Sequence, residues 1–448
     1  MGDVPAVRGD TIVAIATAPG RGAVALVRVS GDTAHVLGAR HVRPWPAEPR
    51  RVALCEVLDS SGGVLDRALV TRFDAPHSYT GEDVVEIATH GGVTAPALVV
   101  AALISSGARE AEPGEFTRRA VLNGKIDLAQ AEAIGDLVDA RSRAMHRAAL
   151  AQLDGGLSRR ILALRDNVLA AEALLAYDID FPEEDDGPVP REAVGGAVRR
   201  VAGDIEALLA TAPAGELLRS GALVVIAGAP NAGKSSLFNA LLGTERAIVT
   251  PVAGTTRDAI EATLDAGGWP LRVVDTAGLR DTDDPVERIG VEVSARYLRA
   301  ADVILACGET DADVIAIVER ITGVGDGRVV PVRTKGDVGE SELGLVTSAV
   351  TGSGLRSLVE AVVRVVAERY GAPPLDAPVL TRERHVRVLR VALAEVREFL
   401  EAWELGALPA TVASVHLRAA SDALAELIGS VDTDDVMDRL FRTFCVGK

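Results

Sequence analysis

Between residues 228 and 236 the chain reads Gly228-Ala-Pro-Asn231-Ala232-Gly233-Lys234-Ser235-Ser236, the spacing GxxxxGK[ST]. Glycines so placed let consecutive backbone N–H groups close around phosphate oxygens at the N-terminus of a following helix. Lys234 can then reach the outer phosphates, and the Ser235 hydroxyl is a ligand for Mg²⁺. Three further patterns follow in order. Gly254-Thr255-Thr256-Arg257-Asp258 offers Thr256 as a second Mg²⁺ hydroxyl that also senses the terminal phosphate. Asp275-Thr276-Ala277-Gly278 supplies a carboxylate at the end of an apolar run and a glycine N–H for the γ-phosphate. Thr334-Lys335-Gly336-Asp337 supplies a carboxylate that accepts both the N1–H and the exocyclic amine of guanine, with the lysine stem over the ring. Ser348-Ala349 completes that base pocket, and adenine has no such donor pair. Each pattern alone is common turn chemistry; the four in this order predict a GTPase.

These residues need elements to place them. Residues 217–370 alternate apolar strands (Leu223–Ala227, Leu271–Val274, Val303–Ala306, Val329–Val332) with helical stretches, the signature of a doubly wound parallel sheet. On either side lie helical stripes. Leu157, Ile161, Leu164, Val168, Ala171 and Leu175 form one, and Val386, Leu389, Leu393, Val396, Leu400 and Trp403 the other. The α/β segment thus reads as an insertion in a helical domain, with Pro213, Gly215 and Gly371-Ala-Pro-Pro374 at the seams. The acidic segment 178–190 is read as a helix stop. Residues 1–120 read as mixed α/β, with strands expected at Thr11–Thr17, Ala23–Val29, Ala68–Phe73 and Val84–Ala88 and a helix through Ala97–Ile104. The expected divisions are 1–120, 121–215, 216–373 and 374–448.

Composition sets the outer limits. A chain of 448 residues is long enough for several domains, and 48% hydrophobic residues supply their cores. A net charge of −17 argues against a general nucleic-acid coat. Cys55, Cys307 and Cys445 make no disulfide framework and no zinc pattern, which suits a reducing, cytoplasmic setting. The longest apolar run, Thr94–Ile104, is far short of the ~18 residues of a membrane span. Only four lysines occur, at 125, 234, 335 and 448, against a background of arginine. Lysine is a compact charge on a slim stem, so a site that needs it is not served by arginine's wide fork.

The string from Gly228 through Leu242, with GTTRD, DTAGLR and VERIG, resembles the translation-factor-related GTPases. The flanks narrow the likeness. Asp10-Thr-Ile-Val-Ala, Arg28-Val-Ser-Gly31, Thr80-Gly-Glu-Asp83, His90-Gly-Gly92, Pro113-Gly-Glu-Phe-Thr117, Asp127-Leu-Ala-Gln-Ala-Glu132, Asp180-Phe-Pro-Glu183 and Phe444-Cys-Val-Gly-Lys448 resemble the MnmE (TrmE) tRNA-modification GTPases over essentially the whole chain. The resemblance implies a multidomain α/β protein. Its N-terminal α+β domain (1–120) binds tetrahydrofolate and dimerises, and its helical domain (121–215 and 374–448) is interrupted by a P-loop, Ras-like G domain (216–373). It implies a homodimer that joins an FAD-containing partner, MnmG (GidA), in a heterotetramer. Together they place an aminomethyl or carboxymethylaminomethyl group on carbon 5 of the wobble uridine of certain tRNAs, with 5-formyl- or methylene-tetrahydrofolate as one-carbon donor.

The same resemblance assigns residues. GTP falls to Asn231, Ala232, Gly233, Lys234, Ser235, Ser236, Thr250, Thr255, Thr256, Asp275, Thr276, Ala277, Gly278, Thr334, Lys335, Asp337, Ser348 and Ala349. Folate falls to Arg28, Glu86 and Lys125, with Lys448 nearby: cations suit a glutamate tail and a carboxylate suits the pterin's amidine-like edge. Leu279 stands where Ras-like enzymes hold a water-orienting glutamine. A K⁺ ion at Asn231, the carbonyls of Thr250 and Val252 and the Thr255 region does the work of an arginine finger, and Glu287 activates water. Thr334 replaces the family's usual asparagine, as in Rho-type GTPases, so guanine selectivity is expected to persist with weaker affinity. The residues Ala306-Cys307-Gly308 lack an aspartate that many relatives carry. Cys445, beside Gly447 and Lys448, is expected to serve tRNA modification and not hydrolysis. The alternative is a ribosome-assembly or other RNA-linked switch GTPase, which would need a basic RNA-binding appendage. A partner with a decayed G domain is opposed by Ser235 and Thr256.

Overall fold

The computed structural model describes residues 10–180, 190–244, 260–275, 295–338, 342, 344–374, 378–405, 410–429, 437 and 440–447. The chain divides into two compact units, residues 1–135 with 425–448, and residues 136–424.

The first unit is built on a seven-stranded sheet. Its strands are β1 (Ile12–Ile15), β2 (Val24–Ser30), β3 (Val42–Arg43), β4 (Ala53–Leu58), β5 (Val64–Phe73), β6 (Val84–His90) and β7 (Arg109–Glu110), in the order β3-β4-β5-β6-β2-β1-β7. β7 lies parallel to β1, and the other neighbours are antiparallel. Alternation decides which side chains go inside. Val27 and Val29 of β2 and Val85 and Ile87 of β6 are fully buried, in one core with Val99 and Leu103 of the helix Thr94–Ser105 and Leu37 of the helix Ala34–His41. The residues between them, Arg28 and Glu86, face the other side and stand directly opposite each other in register. At one end of that second face, the helix Glu115–Leu122 covers Ile12 and Ala14 with Phe116. The C-terminal segment packs in the same unit, where Leu440 and Phe441 share a cluster with Leu128 and Ala131.

The second unit joins long helices to a five-stranded sheet. β8 (Ala222–Gly228), β9 (Ile260–Ala266), β10 (Trp269–Asp275), β11 (Val303–Gly308) and β12 (Arg328–Arg333) take the order β12-β11-β8-β10-β9. Only β9 runs antiparallel to its neighbour. β8 reads ALVVIAG because both its faces are covered. The helices Lys234–Thr244 and Leu355–Tyr370 lie on one face and Asp311–Ile321 on the other. The expected strands at 223–227, 271–274, 303–306 and 329–332 all fall inside observed ones. The core under the first face also takes in Ala144 and Ala148 of the helix Arg143–Leu153 and Leu217 and Leu218 of the helix Ala212–Ser220. Pro213 and Gly215, read as seam markers, sit within that last helix. A Cβ on Gly215 would lie 2.2 Å from the Leu380 carbonyl oxygen, so only glycine permits this contact.

The first apolar stripe is the buried face of the helix Gly156–Asp180, where all six residues are at most 1% exposed. The second is partly out of phase. In the helix Glu383–Leu405, Leu389, Leu393, Val396 and Trp403 are buried, but Val386 and Leu400 are half-buried. His385, Val388, Ala392 and Phe399 fill the face instead. A strict 3-4 alternation drifts around a straight helix by about 20° per heptad. Near the end of the helix, Trp403 stacks on Phe399 at 5.6 Å and lies beneath the Arg191 guanidinium at 4.3 Å. No described helix is long and apolar enough to cross a membrane.

Candidate functional site

The second unit carries the phosphate loop at the C-terminal end of β8, where α/β sheets place ligands. Asn231 and Gly233 both adopt left-handed backbone, at φ 62° and 81°, which turns the loop back over the helix Lys234–Thr244. Ser235 and Ser236 are exposed at the start of that helix, while Ala232 and Lys234 are buried. The Lys234 ammonium donates to the carbonyls of Gly228 (2.9 Å) and Ala229 (2.8 Å). Burial holds its pKa below the ordinary lysine range, and nearby Asp275 opposes that shift. Asp275 ends β10 almost fully buried, in register with Ile226 of β8. Cys307, on β11, is fully buried, and desolvation pushes its thiol up to about 12, so it is a packing residue.

The base motif assembles at the end of β12, and it is tied to the phosphate loop by one hydroxyl. Thr334 is buried; its Oγ1 lies 2.7 Å from the Ala232 carbonyl oxygen and 3.0 Å from that of Gly308. A residue predicted as a weaker stand-in for asparagine is therefore the link between the two halves of the site. Asp337 Oδ1 accepts a 2.6 Å hydrogen bond from Ser348, which, with the charge of Lys335, holds the carboxyl below its usual range. Lys335 takes a left-handed backbone (φ 54°) and pairs with Glu309. Ala349 begins the turn after Ser348, whose N–H donates to the Ser353 carbonyl (3.0 Å). Neither Glu309 nor the Thr334 link was marked by any motif.

The first unit holds a second cluster. Arg28 and Glu86 form a two-point ion pair, with Nε and Nη2 at 2.9 and 2.8 Å from Oε1. The guanidinium lies over Tyr79 (5.1 Å) and Phe116 (5.7 Å), two aromatic neighbours not foreseen in the sequence. The C-terminal segment comes to the same place. Val446 bridges Pro113, the Gly114 N–H donates to the Cys445 carbonyl, and Arg28 Nη1 approaches the Gly447 carbonyl at 3.5 Å. Gly447 (φ 94°) lets the chain pass where a Cβ would lie 2.6 Å from the Ile15 carbonyl oxygen. Cys445 is exposed. Lys125 bonds elsewhere, donating to the Pro76 carbonyl at 2.9 Å and lining Gly81, on the loop that carries Tyr79.

Residues 11–125 match a family model described as the GTP-binding protein TrmE N-terminus, and residues 128–445 one described as the MnmE helical domain. The chain belongs to the MnmE family. Relatives named tRNA modification GTPase MnmE agree along their whole lengths. That of Thermus thermophilus is 44% identical over 98% of this chain and 99% of its own. The MnmE of Paramagnetospirillum magneticum is 43% identical over 98% and 100%, and that of Leptothrix cholodnii 41% over 98% and 99%. The G domain of the T. maritima FeoB iron transporter matches 32% of this chain and 98% of that chain at 27% identity, with a TM-score of 0.26, too low to inform the fold. In MnmE terms, the first unit holds the N-terminal α+β domain, and the second contains helical-domain segments interrupted by the P-loop G domain.

Thr250, Val252, Thr255, Thr256, Thr276, Ala277, Gly278, Glu287 and Lys448 lie outside the described residues. Among the described residues, no group of three or more His, Cys, Asp or Glu is placed to hold a metal ion. Ser235 and Asp275 offer a hydroxyl and a carboxylate at the ends of neighbouring elements, a hard-oxygen set that suits Mg²⁺. Asn231 adds an exposed amide oxygen of the kind K⁺ accepts. Arg28 and Glu86 present fixed donors and acceptors beside two aromatic rings, which suits a planar heterocycle with an anionic tail.

Proposed function

We propose that the chain hydrolyses GTP in the service of tRNA modification. The full-length agreement with tRNA modification GTPases carries this reading, since it spans both the nucleotide site and the Arg28–Glu86 cluster. Guanine is read by Asp337 and covered by the Lys335 stem, with Ser348 and Ala349 at its edge. The backbone N–H groups of Asn231 to Ser236 receive the phosphates at the start of the helix Lys234–Thr244. Lys234 exchanges its two carbonyl partners for phosphate oxygens, whose negative charge, with that of nearby Asp275, opposes the desolvation that lowers its pKa. The phosphate set extends to Thr250, Thr255, Thr256, Thr276, Ala277 and Gly278, with Glu287 orienting water. Mg²⁺ at Ser235 and Thr256, and K⁺ at Asn231, Thr250, Val252 and Thr255, supply charge neutralisation when bound.

The finer reading is as follows. A homodimer joins an FAD-containing MnmG partner and adds an aminomethyl or carboxymethylaminomethyl group at carbon 5 of the wobble uridine, in the cytoplasm. Arg28, Glu86, Lys125 and Lys448 hold the tetrahydrofolate that supplies one carbon, and Cys445 serves that chemistry. The divisions are 1–120, 121–215, 216–373 and 374–448. Nucleoside mass spectrometry of tRNA from a strain lacking the gene tests it, alongside GTP turnover by the purified protein. Unmodified wobble uridine restored by the intact gene is expected. Fully modified tRNA in the deletion strain would refute the assignment.

A further inference from the structure

We propose that Glu309 is a positioning residue of the guanine site, acting through Lys335. The proposal rests on the reading that residues 334–337 bind guanine. β11 ends at Gly308, whose carbonyl receives both the N–H (2.9 Å) and the Oγ1 (3.0 Å) of Thr334. The next residue is held at both its ends. The Glu309 carbonyl accepts from Arg333 Nε at 3.1 Å, and its carboxylate pairs with the Lys335 ammonium. Thr310 then starts the helix Asp311–Ile321 with a capping box, its side chain accepting from the Asp313 N–H while Asp313 accepts from Thr310. Asp311 also faces Arg333, at 3.6 Å. A strand end on one side and a capped helix on the other leave Glu309 little room to drift.

Lys335 needs such a partner. Its left-handed backbone is fixed by hydrogen bonds from Gly336 to Thr347 and from Val338 to Lys335 itself, each 2.9 Å. Its long side chain would otherwise lose rotamer freedom only when the base arrives, and that cost would fall on binding. Asp337 is already held, by Ser348. Glu309 does for the lysine what Ser348 does for the aspartate, so both base-reading side chains are set before the nucleotide arrives.

The pair is 42–45% exposed, so the effect is modest. Glu309→Ala is expected to weaken GDP binding about two- to fivefold, the upper part of the range of an exposed ion pair. The rate at saturating GTP should be unchanged. Glu309→Gln, which keeps the shape, should repeat the loss, and raised ionic strength should shrink it. The decisive measurement is a cycle with Lys335→Ala: in that background Glu309→Ala should change nothing further. An unchanged affinity in the single variant, an equal loss in the Lys335→Ala background, or a fall in the saturated rate alone would each overturn the proposal. Wild-type protein that binds ADP as well as GDP would overturn the guanine reading instead.

Discussion

Thr334→Val offers the sharpest perturbation of the nucleotide site. Valine keeps the shape of threonine and removes only the hydroxyl. That hydroxyl has one proton and two acceptors, Ala232 at 2.7 Å and Gly308 at 3.0 Å, in a buried position. Losing a buried donor costs about 1–3 kcal/mol, because its partners are left without it. The free protein makes the bond too, so part of the cost falls on stability. The rest falls on binding, because the nucleotide spans the phosphate loop and the base motif and must then align them itself. If about half of a 2 kcal/mol loss is felt in binding, affinity falls roughly fivefold. Titration with a fluorescent GDP analogue, together with chemical unfolding of the same variant, reads both parts. Hydrolysis at saturating GTP should stay within twofold. Thr334→Asn should bind at least as well as wild type, because a side-chain amide has two protons for the two carbonyls. Unchanged affinity in Thr334→Val, with stability lost, would show that the link only holds the fold together.

Three further outcomes are expected. GTP turnover in KCl should exceed that in NaCl at equal ionic strength several-fold, and Glu287→Ala should slow it without weakening nucleotide binding; equal rates in the two salts would remove the cation from the scheme. Asp337 reads the base as a carboxylate, and the Ser348 hydrogen bond holds its pKa down, so binding persists into acid. Ser348→Ala should let that pKa rise toward the usual aspartate range of about 3.9 and move the acid-side loss of GDP binding to higher pH, measured as affinity from about pH 3 to about pH 5. Cys445→Ser should keep GTP turnover and lose wobble modification in cells carrying only that variant; full modification would make Cys445 a bystander.

The phosphate loop was legible because its chemistry and its local fold use the same residues. A strand, two left-handed turns and a helix start are all specified between Ala222 and Leu242. The strands of the second sheet were legible where both faces are buried and the run is continuously apolar. β9, reading IEATLDA, was not, because an edge strand with polar residues between its apolar ones lacks that signal. β4 was overlooked for a similar reason: Glu56 interrupts ALCEVL. The Arg28–Glu86 pairing depends on the register of β2 against β6, which no local pattern records across 58 residues. Glu309 was invisible for the same physical reason. It meets Lys335 only because β11 and β12 run parallel and end together.

The core beneath the nucleotide-binding sheet is closed in part by Ala144 and Ala148, which belong to the helix Arg143–Leu153, well ahead of the first strand of that sheet. An inserted module that seals its own interior can be moved between proteins, and its sequence can drift without regard to its host. This one has left part of its interior to its host. A larger side chain at Ala148, itself 8% exposed, would be felt by a close-packed sheet core and would have to be answered by a smaller one there. Side-chain sizes on the two sides of this seam must match, so exchanging the G domain with that of a distant relative would carry a packing mismatch even if every nucleotide contact were preserved.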